Sequence, residues 1–172
     1  MRGRIRRRIG WSLGVASLAA VAVIAIASVS DAAPSSVPLH GSMRNIQNFF
    51  PPSCTSVTGI CSSFRATGSI NGDGIVQIDT PPDADGISKA HTVVHTAKGD
   101  LACREAAVFD VRPPLLGEKA FVDLCLIDGD ASTGMYAGAS GYIQEVGIFD
   151  FKAPPDVSVG QLDYYGKLIL GG

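Results

Sequence analysis

The chain has 172 residues, with 14 basic and 16 acidic side chains and a net charge of −2. Because residues 1–32 hold five of the arginines and one aspartate, the rest of the chain is acidic, with 9 basic and 15 acidic side chains. Without a basic cluster, nucleic acid and anionic lipid surfaces are poor partners, and the roughly 140 remaining residues suffice for one ordinary domain.

The first 32 residues have the organisation of an export signal. Five arginines lie within the first eight residues and precede an uncharged, mostly aliphatic run over residues 11–30. Ser30 and Ala32 occupy the positions that a signal peptidase reads, so we predict cleavage after Ala32, secretion, and no membrane contact afterwards. The aliphatic run is also long enough to span a bilayer, for which roughly 20 apolar residues suffice. An uncleaved membrane anchor is therefore the alternative.

Residues 33–59 are rich in Pro, Ser and Asn and show no sustained periodicity, which predicts an extended lead-in. From residue 60 to residue 172, β-branched and aromatic segments alternate with turn sequences containing Gly, Asn, Asp and Pro. The predicted strands cover residues 64–70, 75–80, 88–97, 101–110, 120–127, 142–151 and 161–170. This spacing, without an amphipathic helix, predicts an all-β antiparallel barrel or sandwich. A final strand that reaches residue 170 favours closure by pairing with an early strand.

The four cysteines of an exported chain favour disulfides over metal ligands. If residues 101–109 and 119–127 form a hairpin, one register places Cys103 directly opposite Cys125, within reach of a disulfide. We therefore predict a Cys103–Cys125 disulfide, which leaves Cys54 and Cys61 to close a small loop. No Cys-x-x-Cys pair is present, and we predict no metal site.

The same register places Glu105 opposite Asp123. Two close carboxylates inside a barrel cannot both ionise easily, so one would have a raised pKa and could act as a general acid. The alternative is that this strand face points to water. The opposite face carries an apolar row, formed by Val122, Leu124 and Leu126. That row suits a barrel interior and favours the alternative, in which Arg104 is the charge near the cavity.

His91, His95 and Tyr142 are further candidates for contact with a ligand. The two histidines share one face of a predicted strand, but four extended residues span about 13 Å, which is too far for two ligands of one metal ion. A hydrogen-bonded structural role is the ordinary alternative for each histidine. Tyr142 could orient a ligand at the barrel rim. The candidate catalytic residues are Glu105, Asp123 and His95, and the candidate ligand-binding residues are Arg104, His91 and Tyr142.

Residues 134–141 read Gly-x-Tyr-Ala-Gly-Ala-x-Gly. Glycine permits a positive φ and close backbone approach, which suits a turn that leads into a bent strand. Together with segments 68–74, 90–96, 100–107, 121–125 and 165–168, this motif resembles the allene oxide cyclase-like barrels, which are related to dirigent proteins. The resemblance covers about residues 60–170. It implies a calycin-like, eight-stranded antiparallel barrel with an apolar cavity, often assembled as a homodimer or homotrimer.

The resemblance also implies a function. Characterised members of the family steer reactive hydrophobic molecules, either by cyclising an unstable epoxide or by imposing stereochemistry on radical coupling. We therefore expect a hydrophobic small molecule as partner, no cofactor, and a cyclase or isomerase activity that depends chiefly on substrate orientation. The alternatives are a non-catalytic lipocalin-like carrier and a structural or interaction protein of the cell envelope, whose barrel is filled by its own side chains.

Overall fold

The computed structural model describes residues 35–49, 54–110, 116–152 and 157–171. Eight strands form a closed antiparallel barrel in which sequence neighbours pair and the last strand pairs with the first. The strands are β1 (Ser35–Phe49), β2 (Cys61–Gly68), β3 (Gly72–Thr80), β4 (Ile87–Thr96), β5 (Gly99–Phe109), β6 (Gly117–Ile127), β7 (Ser140–Phe151) and β8 (Val159–Leu170). The predicted barrel is confirmed. The predicted signal segment, residues 1–32, lies outside the described residues.

Strand β1 lies within the segment that the sequence predicted as an extended lead-in. It pairs with β2 on one side and with β8 on the other, so it closes the barrel. Leu39, Met43 and Ile46 are buried, but a register shift near Asn45, which has a φ of 56°, interrupts their alternation. Such a bulge hides the two-residue period of a strand. The barrel therefore begins at β1 and not at residue 60.

Both predicted disulfides are present, with Cα–Cα separations of 5.5 Å for Cys54–Cys61 and 5.6 Å for Cys103–Cys125. The register of β5 against β6 differs by two residues from the prediction. Cys103 lies opposite Ile127, and Cys125 lies opposite Glu105, so this disulfide links the strands diagonally. Disulfides of this kind are typical of proteins that fold in an oxidising, extracellular compartment.

The inward face of β6 is the reverse of the one that the sequence favoured. Asp123 and Cys125 are buried. The apolar side chains on the other face, Val122, Leu124 and Leu126, are 40–54% exposed on the outside of the barrel. Arg104 also lies on the outer face. Both faces of β6 carry apolar side chains, so the local pattern could not decide between them. The pairing with β5 decides which face of β6 is inward, because Cys125 must lie inside the barrel to form the disulfide with the buried Cys103. Asp123 lies on the same face as Cys125 and is therefore also inside.

The connection between β6 and β7 packs over one end of the barrel. It contains a single 3-10 turn, Gly134–Tyr136, whose tyrosine is buried. Gly134 has a φ of 59°, and a Cβ there would collide with the carbonyl oxygen of Lys98. At the same end, the Tyr164 hydroxyl accepts a hydrogen bond from the Ile70 N–H at 2.9 Å. The glycine motif therefore serves the architecture of this end, which we call the capped end.

No helix among the described residues is long and apolar enough to cross a membrane.

Candidate functional site

The barrel encloses a cavity of about 70 Å³ between the capped end and the opposite end. Its walls are mainly apolar and include Met43, Phe64, Phe121, Phe149 and Leu162. A second cavity of about 140 Å³ adjoins it and also contacts Phe109 and Phe149. Phe109 stacks on Phe121 at a centroid distance of 5.3 Å, and Phe149 lies 4.8 Å from Phe151. The two adjoining cavities share Phe109 and Phe149 as lining residues, and we refer to them together as the passage.

Three carboxyl groups from adjacent strands line the first of these cavities, which we call the inner cavity. Glu105 lies on β5, Asp123 on β6 and Glu145 on β7, and each residue is at most 8% exposed. Asp123 and Glu145 are direct partners in the antiparallel register, whereas Glu105 is diagonal to Asp123 because Ala107 occupies the directly opposed position. One oxygen from each carboxyl lies within 4.8 Å of the others. We call these three residues the carboxyl cluster.

Burial gives the carboxyl cluster an unusual affinity for protons. It raises the pKa of Glu105 well above its ordinary value, and the negative charges of Asp123 and Glu145 add to this effect. Burial, followed by the charge of Asp123, raises the pKa of Glu145 to about 8. Burial raises the pKa of Asp123 only to about 6, because hydrogen bonds from its surroundings favour the ionised form. At neutral pH, the pKa of Glu145 therefore favours its protonated form and the pKa of Asp123 favours its ionised form, while burial shifts Glu105 toward its protonated form.

Two buried oxygen atoms near the carboxyl cluster have no hydrogen-bond partner within the described part of the chain. They are Oδ1 of Asp123 and Oγ1 of Thr92. Thr92 faces the interior from β4, opposite Cys103, and its hydroxyl is near enough to Glu105 to lower the pKa of that carboxyl. A buried polar group without a partner typically costs about 1–3 kcal/mol. These two atoms therefore retain capacity for a further hydrogen bond.

The carboxyl oxygens are close enough together to hold a single cation. Cys103 and Cys125 also lie within reach of Glu105. Their sulfur atoms are joined in a disulfide, however, and a metal site would require thiolates. The groups inside the barrel that could bind a cation are therefore the carboxylate oxygens and the neighbouring Thr92 hydroxyl.

The structure brings only two of the predicted site residues, Glu105 and Asp123, to the cavity. The other four lie on the outer surface of the barrel and are His91, His95, Arg104 and Tyr142. Their positions follow from strand alternation, because the inward residues of β4 are Ser88, Ala90, Thr92 and Val94.

The outward histidines and arginine each have an acidic neighbour. Nδ1 of His91 lies 3.0 Å from Oδ1 of Asp79, and Nδ1 of His95 lies 2.9 Å from Oδ1 of Asp100. Nε of Arg104 lies 3.1 Å from Oδ2 of Asp128. All three pairs are at least partly exposed to solvent, so these side chains have surface partners and do not line the cavity.

Sequence reasoning missed Glu145. Its signal is present in the chain, since Ile143, Glu145 and Phe149 are buried on β7 among exposed or half-exposed neighbours. A glutamate on the apolar face of a strand is a candidate functional residue, because an unpaired buried carboxylate is costly. Only the strand register shows that Glu145 lies opposite Asp123 and belongs to the same site.

Comparisons of the chain with known family models, with curated proteins and with solved structures found no match.

Proposed function

We propose that this barrel encloses a small hydrophobic molecule and acts on it as a cofactor-independent isomerase or cyclase. The observation that carries the proposal is the carboxyl cluster in the wall of a mainly apolar cavity. Enclosed apolar pockets with a few convergent polar groups and shifted pKa values are the usual form of a small-molecule site. The resemblance to allene oxide cyclase-like proteins is consistent with this proposal and remains a prediction.

The carboxyl cluster supplies an acid and a base side by side. The ionised Asp123 accepts a proton from one atom of the substrate, while the protonated Glu145 donates a proton to another. A proton transfer from Asp123 to Glu145 then restores both groups, so the reaction consumes no net proton. General acid–base catalysis of this kind contributes about 10²–10⁴-fold to a rate, and the narrow cavity adds orientation of the substrate.

The size of the passage limits the substrate. Its two parts measure about 70 and 140 Å³, whereas sites for drug-sized ligands occupy roughly 300–1,000 Å³. The bound molecule is therefore small and narrow. Phenylalanine rings on three strands give it flat apolar surfaces on which to pack.

A non-catalytic carrier is the second candidate. The mainly apolar lining of both cavities favours it, since such walls retain a hydrophobic molecule without any chemical step. The carboxyl cluster distinguishes the two functions, because a carrier of purely apolar cargo gains nothing from three buried acids, each of which is costly to desolvate.

The test begins with solvent extraction of the purified barrel, followed by mass spectrometry. We expect a stoichiometric small hydrophobic molecule in the extract. The purified wild-type protein is then compared with Glu145→Gln for conversion of that molecule, and Glu118→Gln on the outer surface serves as the matched control. Glu145→Gln should slow conversion by about 10²-fold or more while still retaining the molecule.

Three results contradict parts of this proposal. Retention of the molecule with no conversion by the wild-type protein identifies a carrier. Equal rates in Glu145→Gln and the wild-type protein remove the carboxyl cluster from the mechanism. An empty extract, together with no binding of any apolar probe, excludes both the enzyme and the carrier.

A further inference from the structure

We infer that the molecule held in the barrel is a small amphipathic amine whose ammonium group lies within the carboxyl cluster and whose hydrocarbon part lies against the phenylalanines. This inference rests on the proposed function, because it assigns a charge to the ligand of the same cavity.

The balance of charge in the cavity supports a cationic ligand. The lining contains Glu105, Asp123 and Glu145, whereas no lysine, arginine or histidine is among the described residues that form it. Ionised carboxylates only accept hydrogen bonds, and buried charges require a partner of opposite sign. A carboxylate or phosphate ligand would be repelled by the ionised Asp123. An ammonium group supplies the positive charge that the protein interior does not.

The geometry of the carboxyl cluster suits an ammonium nitrogen. Three oxygens no more than 4.8 Å apart can all lie within about 2.8 Å of one central point, which matches the 2.7–2.9 Å typical of charge-assisted N–H···O bonds. A primary ammonium group has three donors, one for each carboxyl. Magnesium prefers shorter contacts of about 2.0–2.1 Å and retains several waters.

Beside the acids, the Thr92 hydroxyl adds a further polar atom that interacts with Glu105 and has no other polar neighbour of hydrogen-bond geometry among the described residues. Oγ1 of Thr92 belongs to a residue that is only 2% exposed, and it has no partner within the described chain. It projects from β4 toward Glu105, on the side of the carboxyl cluster away from Glu145. Oδ1 of Asp123 is also unpartnered. A donor placed among the three carboxyls would serve the Asp123 oxygen directly.

The aromatic walls account for the rest of the ligand. Phe121 and Phe149 line the same cavity as the carboxyl cluster, with ring centroids 6.5 Å apart. Aromatic faces attract cations within about 6 Å and bury hydrocarbon equally well. A metal ion would account for the carboxyls but not for the apolar passage that leads to them. An amine with a hydrocarbon chain accounts for both.

The test uses three probes of equal chain length, namely n-hexylamine, 1-hexanol and hexanoate, each titrated into the purified, disulfide-bonded protein by calorimetry at pH 7. We expect hexylamine to bind at least about tenfold more tightly than hexanol, and hexanoate to bind least. Glu145→Gln should weaken hexylamine binding by about tenfold or more and leave hexanol binding within about twofold. The outer-surface control Glu118→Gln should behave as the wild-type protein does.

The outcomes separate this inference from the proposed function. Equal binding of hexanol and hexylamine overturns the inference and leaves an apolar-ligand barrel intact, whereas binding of none of the probes overturns both. Displacement of hexylamine by micromolar Ca²⁺ or Mn²⁺ also overturns the inference, in favour of a metal site. If Glu145→Gln does not fold, Asp123→Asn replaces it, and the ranking of the three probes on the wild-type protein still decides the matter.

Discussion

At the scale of single residues, the carboxyl cluster lowers the free energy of unfolding when its groups ionise. Burial opposes ionisation of Glu105, Asp123 and Glu145, and it raises the pKa of each group above its value in an unfolded chain. The unfolded state therefore releases these protons at lower pH than the folded state does. Functional sites commonly contain such perturbed groups, whereas a purely structural barrel gains nothing from them.

This cost predicts that the protein becomes less stable as the pH rises. Ordinary pKa values are 3.8 for Asp123 and 4.5 for Glu145, and the folded values are about 6 and about 8. The contribution of these groups is most favourable below about pH 4, decreases as the pH rises, and levels off above about pH 8. Urea unfolding should therefore give a free energy of unfolding that is lower at pH 8 than at pH 5, by on the order of a few kcal/mol.

The variant Glu145→Gln isolates the contribution of one carboxyl, because it keeps the side-chain size and cannot ionise. Its stability should fall less steeply with pH, and at pH 8 it should be more stable than the wild-type protein. Glu118→Gln, which alters an exposed glutamate on the same sheet, is the control. Parallel pH curves for the wild-type protein and Glu145→Gln would show that Glu145 ionises normally in the folded state.

At the scale of strands, the two faces of β6 have different roles. Its inward face supplies Asp123 to the cavity, while its outward face remains apolar and exposed. The neighbouring strands extend this outward surface, because Val122 pairs with Val108 on β5 and with Val146 on β7. The outer apolar face comprises Val108, Val122, Leu124, Leu126, Val146 and Ile148. Monomeric soluble proteins rarely expose contiguous apolar surface of more than a few hundred Å².

We expect the outer apolar face to mediate self-association into a dimer or trimer. A closed barrel has no free strand edge, so association must use a face of the sheet. Light scattering coupled to size-exclusion chromatography should give a mass above that of one chain, and Leu124→Glu should shift it toward the monomer. Val57→Glu, a change at an isolated exposed valine, is the control. A wild-type protein that remains monomeric at high concentration contradicts this prediction.

At the scale of the whole molecule, disulfides and closure together define the barrel. The Cys103–Cys125 disulfide joins two of the three strands that carry the carboxyl cluster, and Cys54–Cys61 ties the start of β2 to the segment before it. Removing a native disulfide from a small secreted domain typically costs about 2–5 kcal/mol. The barrel is therefore suited to an oxidising compartment, and we propose that residues 1–32 direct its export.

Intact mass spectrometry of the protein recovered from the medium tests export and oxidation together. The chain should begin at Ala33 and weigh less than its reduced form by the four hydrogens that two disulfides remove. Alkylation without reduction should label no cysteine, whereas alkylation after reduction should label four. A retained N-terminus in the membrane fraction would favour the anchor, and labelling before reduction would contradict oxidative folding.

The sequence by itself determined much of the local structure. Turn residues and β-branched segments predicted seven of the eight strands to within a few residues. An expected hairpin predicted the Cys103–Cys125 disulfide and left Cys54–Cys61 as the second pair, although the true register differs by two residues. These features depend on short-range chemistry, since a strand period, a turn and a pair of cysteines are all visible within one or two neighbouring segments. Strand β1 was missed because its bulge near Asn45 interrupts that period.

The tertiary structure alone decided which face of each strand lies inside and which residues meet there. Alternation divides a strand into two faces, but it does not say which one is buried when both carry apolar side chains, as on β6. Closure of eight strands fixed that choice and turned Glu105 and Asp123 inward. The register of β7 then placed Glu145 opposite Asp123. The site is a product of three strands at once, so no single segment of the chain could have revealed it.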